Sequence, residues 1–239
     1  MNLYKNIFEF LTKTVPFPSN FSGRYNDDND PCGVLEAEEW GEISDRLIKC
    51  SRDKECPEYA QALFWIAADI LSELDMLDEN TPNYDFDDPE FEHGLSLLET
   101  AHKAGNIYAS NELGLLYLEQ IQIRDLELAT YYFEKAFSES DPISAYNLAR
   151  VAHETDPLNH RPVLDYLKIS AKQDHKDYET SYFLALHAFG DHQEKSIAAK
   201  YIRKNKKACS ILVNRVGRHF NLDQSAFSPR ARFQRNEHP

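Results

Sequence analysis

The 239 residues carry 26 Lys and Arg against 40 Asp and Glu, a formal charge of −14. A hydrophobic content of 42%, with 12% aromatic residues, is too high for a disordered chain and implies a packed core. No apolar run approaches the ~18 residues of a membrane span, and the acidic balance opposes nucleic acid over most of the surface.

Residues 1–15 have a helical rhythm in Leu3, Ile7, Phe10 and Leu11. Lys5, Glu9 and Lys13 interrupt that run, so no signal peptide is read and a cytoplasmic location is expected. Val15 to Gly33 is loop, rich in Pro, Gly and Asp. Glu36 to Lys49 reads as a helix with Trp40, Ile43 and Leu47 on its apolar face. Together, residues 1–57 are expected to form an N-terminal helical cap. Pro57 then opens a helix carrying Ala60, Leu63, Phe64, Ala67, Ala68 and Leu71.

The four cysteines are Cys32, Cys50, Cys56 and Cys209, with no Cys-x-x-Cys among them. Only Cys50 and Cys56 lie close enough in sequence to bridge locally. In a cytoplasmic chain, reduced thiols are expected.

From Asp69 to Glu92 there are ten acidic residues and no Lys or Arg. Part of this stretch, residues 71–89, reads as an insertion with the character of a surface loop. Asp85, Asp87, Asp88 and Glu90 are its candidate partner-binding residues. Their spacing is not that of a calcium-binding loop, and no metal site is expected.

The chain then repeats itself. Ala109, Leu113, Leu116 and Tyr117 mark one helical face, and Ala129, Tyr132, Phe133 and Ala136 mark a second after a turn near residues 120–124. The second pattern recurs as Gly94, Leu97, Leu98, Ala101; as Val163, Tyr166, Leu167, Ser170; and as Ala198, Tyr201, Ile202, Asn205. These spacings are 35, 34 and 35 residues. Leu113-Gly114 recurs as Leu148-Ala149 and Leu184-Ala185. Two patterns with one period predict an all-α array of helix pairs over residues 58–207, in which stacking neighbours share one core. Residues 208–220 read as a C-terminal capping helix. Residues 221–239 have no periodicity and read as a basic, mobile tail.

The motif small-x-x-x-Leu-Gly-x-x-Tyr, a turn, then Asp125-x-x-x-Ala129-x-x-Tyr132-Phe133-x-x-Ala136 resembles the Sel1-like repeat family. The resemblance is best over Ile107 to Asp141 and covers about two thirds of the chain. It implies a right-handed α-solenoid related to tetratricopeptide repeats, and a role as an interaction scaffold. This chain lacks the regularly spaced cysteine pairs of some secreted members. In such a solenoid the first helix of each pair usually lines the inner surface. Its outward face here carries Asn111 and Leu115; then Tyr146, Asn147 and Arg150; then Tyr182, Phe183 and Leu186. These eight are the candidate concave partner-binding residues, since aromatic and Arg side chains suit interface hot spots.

Charge is segregated along the chain. Residues 195–239 hold eleven Lys and Arg and two acids, a balance of +9; residues 1–194 hold 15 and 38, a balance of −23. This favours a basic protein partner. It also raises an acidic immunity-type inhibitor of a basic toxin, such as a nuclease, as an alternative. Nucleic-acid contact is a third reading, confined to the basic end, and head-to-tail self-association is a further option. There is no Gly-x-Ser-x-Gly, phosphate-binding loop or dinucleotide fingerprint, and the nine histidines are scattered. No catalytic residues, cofactor or enzymatic activity are expected.

Overall fold

A computed structural model describes residues 48–73, 89–120, 122–138, 142–172 and 176–222. The expected helix over 1–15, the loop after it, most of the helix over 36–49, Asp85, Asp87, Asp88 and residues 223–239 lie outside that set. The regular elements among the described residues are all helices, with no strand among them. The helices are α1 (Tyr59–Glu73), α2 (Pro89–Lys103), α3 (Ile107–Glu119), α4 (Leu126–Ser138), α5 (Pro142–Thr155), α6 (His160–Ser170), α7 (Lys176–Phe189), α8 (His192–Lys204) and α9 (Lys206–Phe220). Residues 48–51 are helical as well. None of these helices is long and apolar enough to cross a membrane.

Two compact units form, Met1–Glu139 and Ser140–Pro239. The division falls between α4 and α5, inside the expected array. In the first unit α1 packs on α2, α2 on α3 and α3 on α4. In the second, α5 packs on α6, α6 on α7 and α7 on α8, while α9 turns back onto α7 and reaches α5.

Burial follows the sequence period. In α2, α4 and α6 the first and third positions of the recurring pattern are buried: Gly94 and Leu98, Ala129 and Phe133, Val163 and Leu167. The second position, Leu97, Tyr132 or Tyr166, is half-buried in each. In α8 Ala198 is buried and Ile202 only half-buried. On the first helices, Leu113-Gly114, Leu148-Ala149 and Leu184-Ala185 are all enclosed. Small residues on one helix and large ones on its mate let the two backbones approach.

The helix ends show why the breaks fall where they do. Gly105 takes φ +88° after α2. The Gly105 amide then donates to the His102 carbonyl at 2.9 Å and the Asn106 amide to that of Ala101 at 2.9 Å, a Schellman closure. Asn106 next caps α3, its Oδ1 accepting from the Ala109 amide at 2.9 Å, while its Nδ2 donates to Gln61 Oε1 on α1 at 2.9 Å. One buried side chain therefore starts α3 and ties it to α1. Asp125 Oδ1 caps α4 through the amides of Glu127 and Leu128. Asp191 and Glu194 form a reciprocal capping box on α8. Helix α5 begins at Pro142 and ends before Asp156-Pro157. Helix α6 begins at His160, with Pro162 in its first turn, where a missing N–H costs nothing. The last paired helix stops at Lys204, and Asn205 separates it from α9.

Gly114 marks a close approach of α3 to α4. A Cβ there would lie 2.5 Å from Phe133 Cε1 on α4. The equivalent positions in the second unit pair an alanine with a smaller side chain, Ala149 with Leu167 and Ala185 with Ile202. Volume is thus traded across the helix pair. Gly114→Ala alone should destabilise the protein by about 1–3 kcal/mol through overpacking. Phe133→Leu alone should also destabilise it, by leaving a void. Combined, they should cost less than the sum of the two, a favourable coupling of about 0.5–3 kcal/mol. Denaturant midpoints of the four proteins measure it, and simple additivity would refute the volume trade.

Candidate protein-binding surface

The candidate concave residues divide by burial. Asn111, Tyr146, Asn147 and Leu186 are buried, and Leu115, Arg150, Tyr182 and Phe183 are half-buried. Phe183 stacks on Tyr201 of α8 with centroids 4.0 Å apart, so much of its ring packs between helices. Tyr182 lies beside the cluster formed by Arg161 with Asp165 and with Glu194, both at 3.3 Å. Glu90 is exposed in the first turn of α2, where an acidic side chain suits the helix dipole.

Tyr146 is enclosed because α9 folds back over it. Its ring lies 5.7 Å from those of Tyr178 on α7 and Phe220 on α9. Its hydroxyl meets His219 Nδ1 at 2.9 Å. Two turns on, His153 packs against Phe220, and Asn221 Nδ2 donates to His153 Nε2 at 3.3 Å. Of the expected contact residues, α9 covers Tyr146.

A different surface is exposed in the first unit. Tyr131, Tyr132 and Phe133 are consecutive on α4 and span about 200° of the helix at about 100° per residue. Phe133 is fully buried, Tyr132 half-buried, and Tyr131 46% exposed. Tyr132 is the hub. It stacks parallel to Tyr117 of α3 at 5.7 Å and meets Tyr131 and His102 of α2 edge-on, each at 5.1 Å. His102 Nδ1 is held by Ser110 Oγ at 2.8 Å. Lys135 Nζ lies 5.6 Å from the Tyr131 centroid, and Leu128, on the same side of α4, is 39% exposed. Glu127 and Glu134 flank Tyr131 at i−4 and i+3, both exposed.

Electrostatics keep these rings neutral. Burial, then Tyr117, Glu99 and Tyr131, push the Tyr132 phenol up to about 12. Burial, then Glu99 and Asp125, raise Tyr117. Burial, Lys135 and Lys103 hold His102 below its ordinary value. The surface therefore offers uncharged aromatic faces and phenol groups inside a mixed rim of Glu99, Glu127 and Glu134 with Lys103 and Lys135.

A basic corner lies at the α8–α9 junction. Lys200, Arg203, Lys204, Lys206 and Lys207 are all exposed there. Arg203 and Lys204 complement the C-terminal dipole of α8, whereas Lys206 and Lys207 open α9, where positive charge is unfavourable. Among the described residues, one group has metal-ligating chemistry and spacing: Cys50, Cys56 and Glu58.

No family model matches the chain, and no curated protein matches it.

The α9 latch generates a pH dependence. Burial, then Arg150, Arg215 and Arg218, push His219 down to about 2. Burial also lowers His153, with His160 adding to the effect. Both imidazoles are neutral when folded, but they take up protons near pH 6.5 when unfolded. The second unit should therefore lose stability as pH falls below about 6.5, by at most about 1.4 kcal/mol per pH unit for each histidine, less where solvent screens the ring. Asn at position 219 keeps an acceptor for Tyr146 without titrating. Urea midpoints at pH 7 and pH 5 should differ less in His219→Asn than in the wild type; an unchanged difference would count against the latch.

Proposed function

We propose that this chain is a protein-binding scaffold that does no chemistry on its partner, a cytoplasmic array of Sel1-like helix pairs in a right-handed solenoid. In this reading a basic protein docks on the tyrosine surface of α2, α3 and α4. The observation that carries it is Tyr131 standing exposed on a ring cluster already ordered by Tyr132, Tyr117 and His102. Prearranged aromatics lose little freedom on binding, which is why tyrosine dominates many interface hot spots. The flanking Glu127 and Glu134 supply charge complementarity. The recurrence of buried positions in α2, α4 and α6 supports the repeat reading. The half-buried Leu115, Arg150, Tyr182 and Phe183 remain secondary contacts in the same reading.

The balance of −23 over residues 1–194 favours a narrower alternative, an acidic immunity-type inhibitor of a basic toxin. Ionic strength separates the two. An inhibitor steered by charge loses association rate steeply with salt, whereas a complex anchored on aromatic rings holds.

The test is affinity capture from the native lysate at low and high salt, with wild type beside Tyr131→Ala and Glu127→Gln/Glu134→Gln. The scaffold reading expects Tyr131→Ala to weaken partner affinity at least about tenfold, with stability changed by only about 0.5 kcal/mol. A partner retained equally by Tyr131→Ala would sink the tyrosine surface. One lost with the charge variants but not with Tyr131→Ala would favour the inhibitor.

A further inference from the structure

The Cys50–Cys56 pair departs from the expectation of reduced thiols. The two residues form a disulfide with Cα atoms 5.5 Å apart, within the normal bridging range of about 4.4–6.8 Å. The reason is local. Residues 50–59 are folded into successive turns, with amide-to-carbonyl bonds from Asp53 to Cys50 (3.2 Å), Cys56 to Asp53 (2.9 Å) and Tyr59 to Cys56 (3.0 Å). The Glu55 amide adds a bond to Asp53 Oδ1 at 3.0 Å. These turns set the two Cα atoms within bridging range.

A third ligand stands beside them. Glu58 Oε2 lies 3.3 Å from Cys56 Sγ, and the ligating atoms of Cys50, Cys56 and Glu58 all fall within 4.8 Å of one another. A tetrahedral ion with bonds of about 2.3 Å to sulfur and about 2.0–2.2 Å to oxygen holds its sulfurs about 3.8 Å apart, so the bonded pair must open before these three ligands can take one. Cys56 and Glu58 precede α1, whose N-terminal dipole favours negative charge on both. Cys50 is buried, while Cys56 and Glu58 are half-buried, so the group is reachable from solvent on one side.

We propose that Cys50, Cys56 and Glu58 form a zinc site that exists only while the Cys50–Cys56 bond is reduced. Reduction by two equivalents of a small thiol breaks the sulfur–sulfur bond and yields two protein thiols and one external disulfide. Zinc then binds both sulfurs and the Glu58 carboxylate, and the two thiol protons leave to solvent. The fourth position is taken by water. A two-electron oxidant such as hydrogen peroxide reverses the step: the sulfurs rejoin, zinc is released, and the peroxide takes two protons to become two waters. The loop at the entry to α1 is clamped in both states, by a covalent bond in one and by a metal in the other.

The probe is Co²⁺ followed by Zn²⁺ competition, on the full chain with Cys32→Ala and Cys209→Ala so that only this pair remains. After reduction, Co²⁺ should give a sulfur-to-cobalt charge-transfer band, and Zn²⁺ should bleach it at one equivalent. The disulfide form, with the bond verified by mass, should show no band. Glu58→Gln should weaken binding at least about tenfold, and Cys56→Ser should abolish the band. Circular dichroism checks that each variant is helical. Equal binding by the oxidised protein, no band after reduction, or an unchanged affinity in Glu58→Gln would each overturn the proposal.

Discussion

The close approach of paired helices is the constraint on which the molecule depends. A helix of 13 or 14 residues is marginal in water and owes its stability to the face it buries. Here that burial is achieved by setting small residues opposite large ones. Gly114 admits Phe133, and Gly94 admits Leu71, whose side chain would sit 2.9 Å from an added Cβ. Once a pair closes, its remaining apolar face needs a neighbour. In the first unit α2 gives its second face to α3, and in the second α7 serves α6, α8 and α9 at once. The core of the first unit runs from Leu63 to Leu116 and that of the second from Tyr146 to Leu222.

Much of this was legible in the sequence because a period of 35 residues is a statement about burial. Val163, sited only by its offset from Ala129, is fully enclosed, as is Leu184, sited by its offset from Leu113. Pro142, Asp156-Pro157 and Gly190 act as breakers through local stereochemistry. At Gly190 an added Cβ would lie 2.5 Å from the Leu186 carbonyl oxygen. What escaped was long-range or shared. Asn106 looks like a turn residue, and nothing local says that its amide will reach Gln61, 45 residues earlier. The tyrosine surface was readable and missed: with Phe133 and Ala129 inside, helical geometry alone places Tyr131 outside. The pairing of Cys50 with Cys56 followed from turn chemistry around Asp53, whereas the reading by compartment pointed the other way.

The return of α9 is the clearest case of sequence separated from space. Periodicity assigns Leu212 and Val216 to an apolar stripe, and both are buried. It says nothing of which neighbour they meet. The stripe was expected to close the end of the array, but α9 favours α7 over α8, the helix it directly follows. With only Asn205 between α8 and α9 there is no room for a long excursion, and the reversal places α9 against α7. Asn221, in the left-handed region at φ 50°, then ends α9 and carries its own side chain to His153.

That return has a consequence for synthesis. Tyr146 and the histidine that closes over it are 73 residues apart. At about 5–20 residues per second, translation leaves α5 without its cover for about 4–15 s, long after the α5–α6 pair is available to form. A helix pair forms and packs within microseconds to milliseconds. The nascent second unit thus spends seconds as a folded hairpin with an aromatic face open. That interval is one in which a chaperone, or a second copy emerging from the same message, meets a surface that the finished protein never shows.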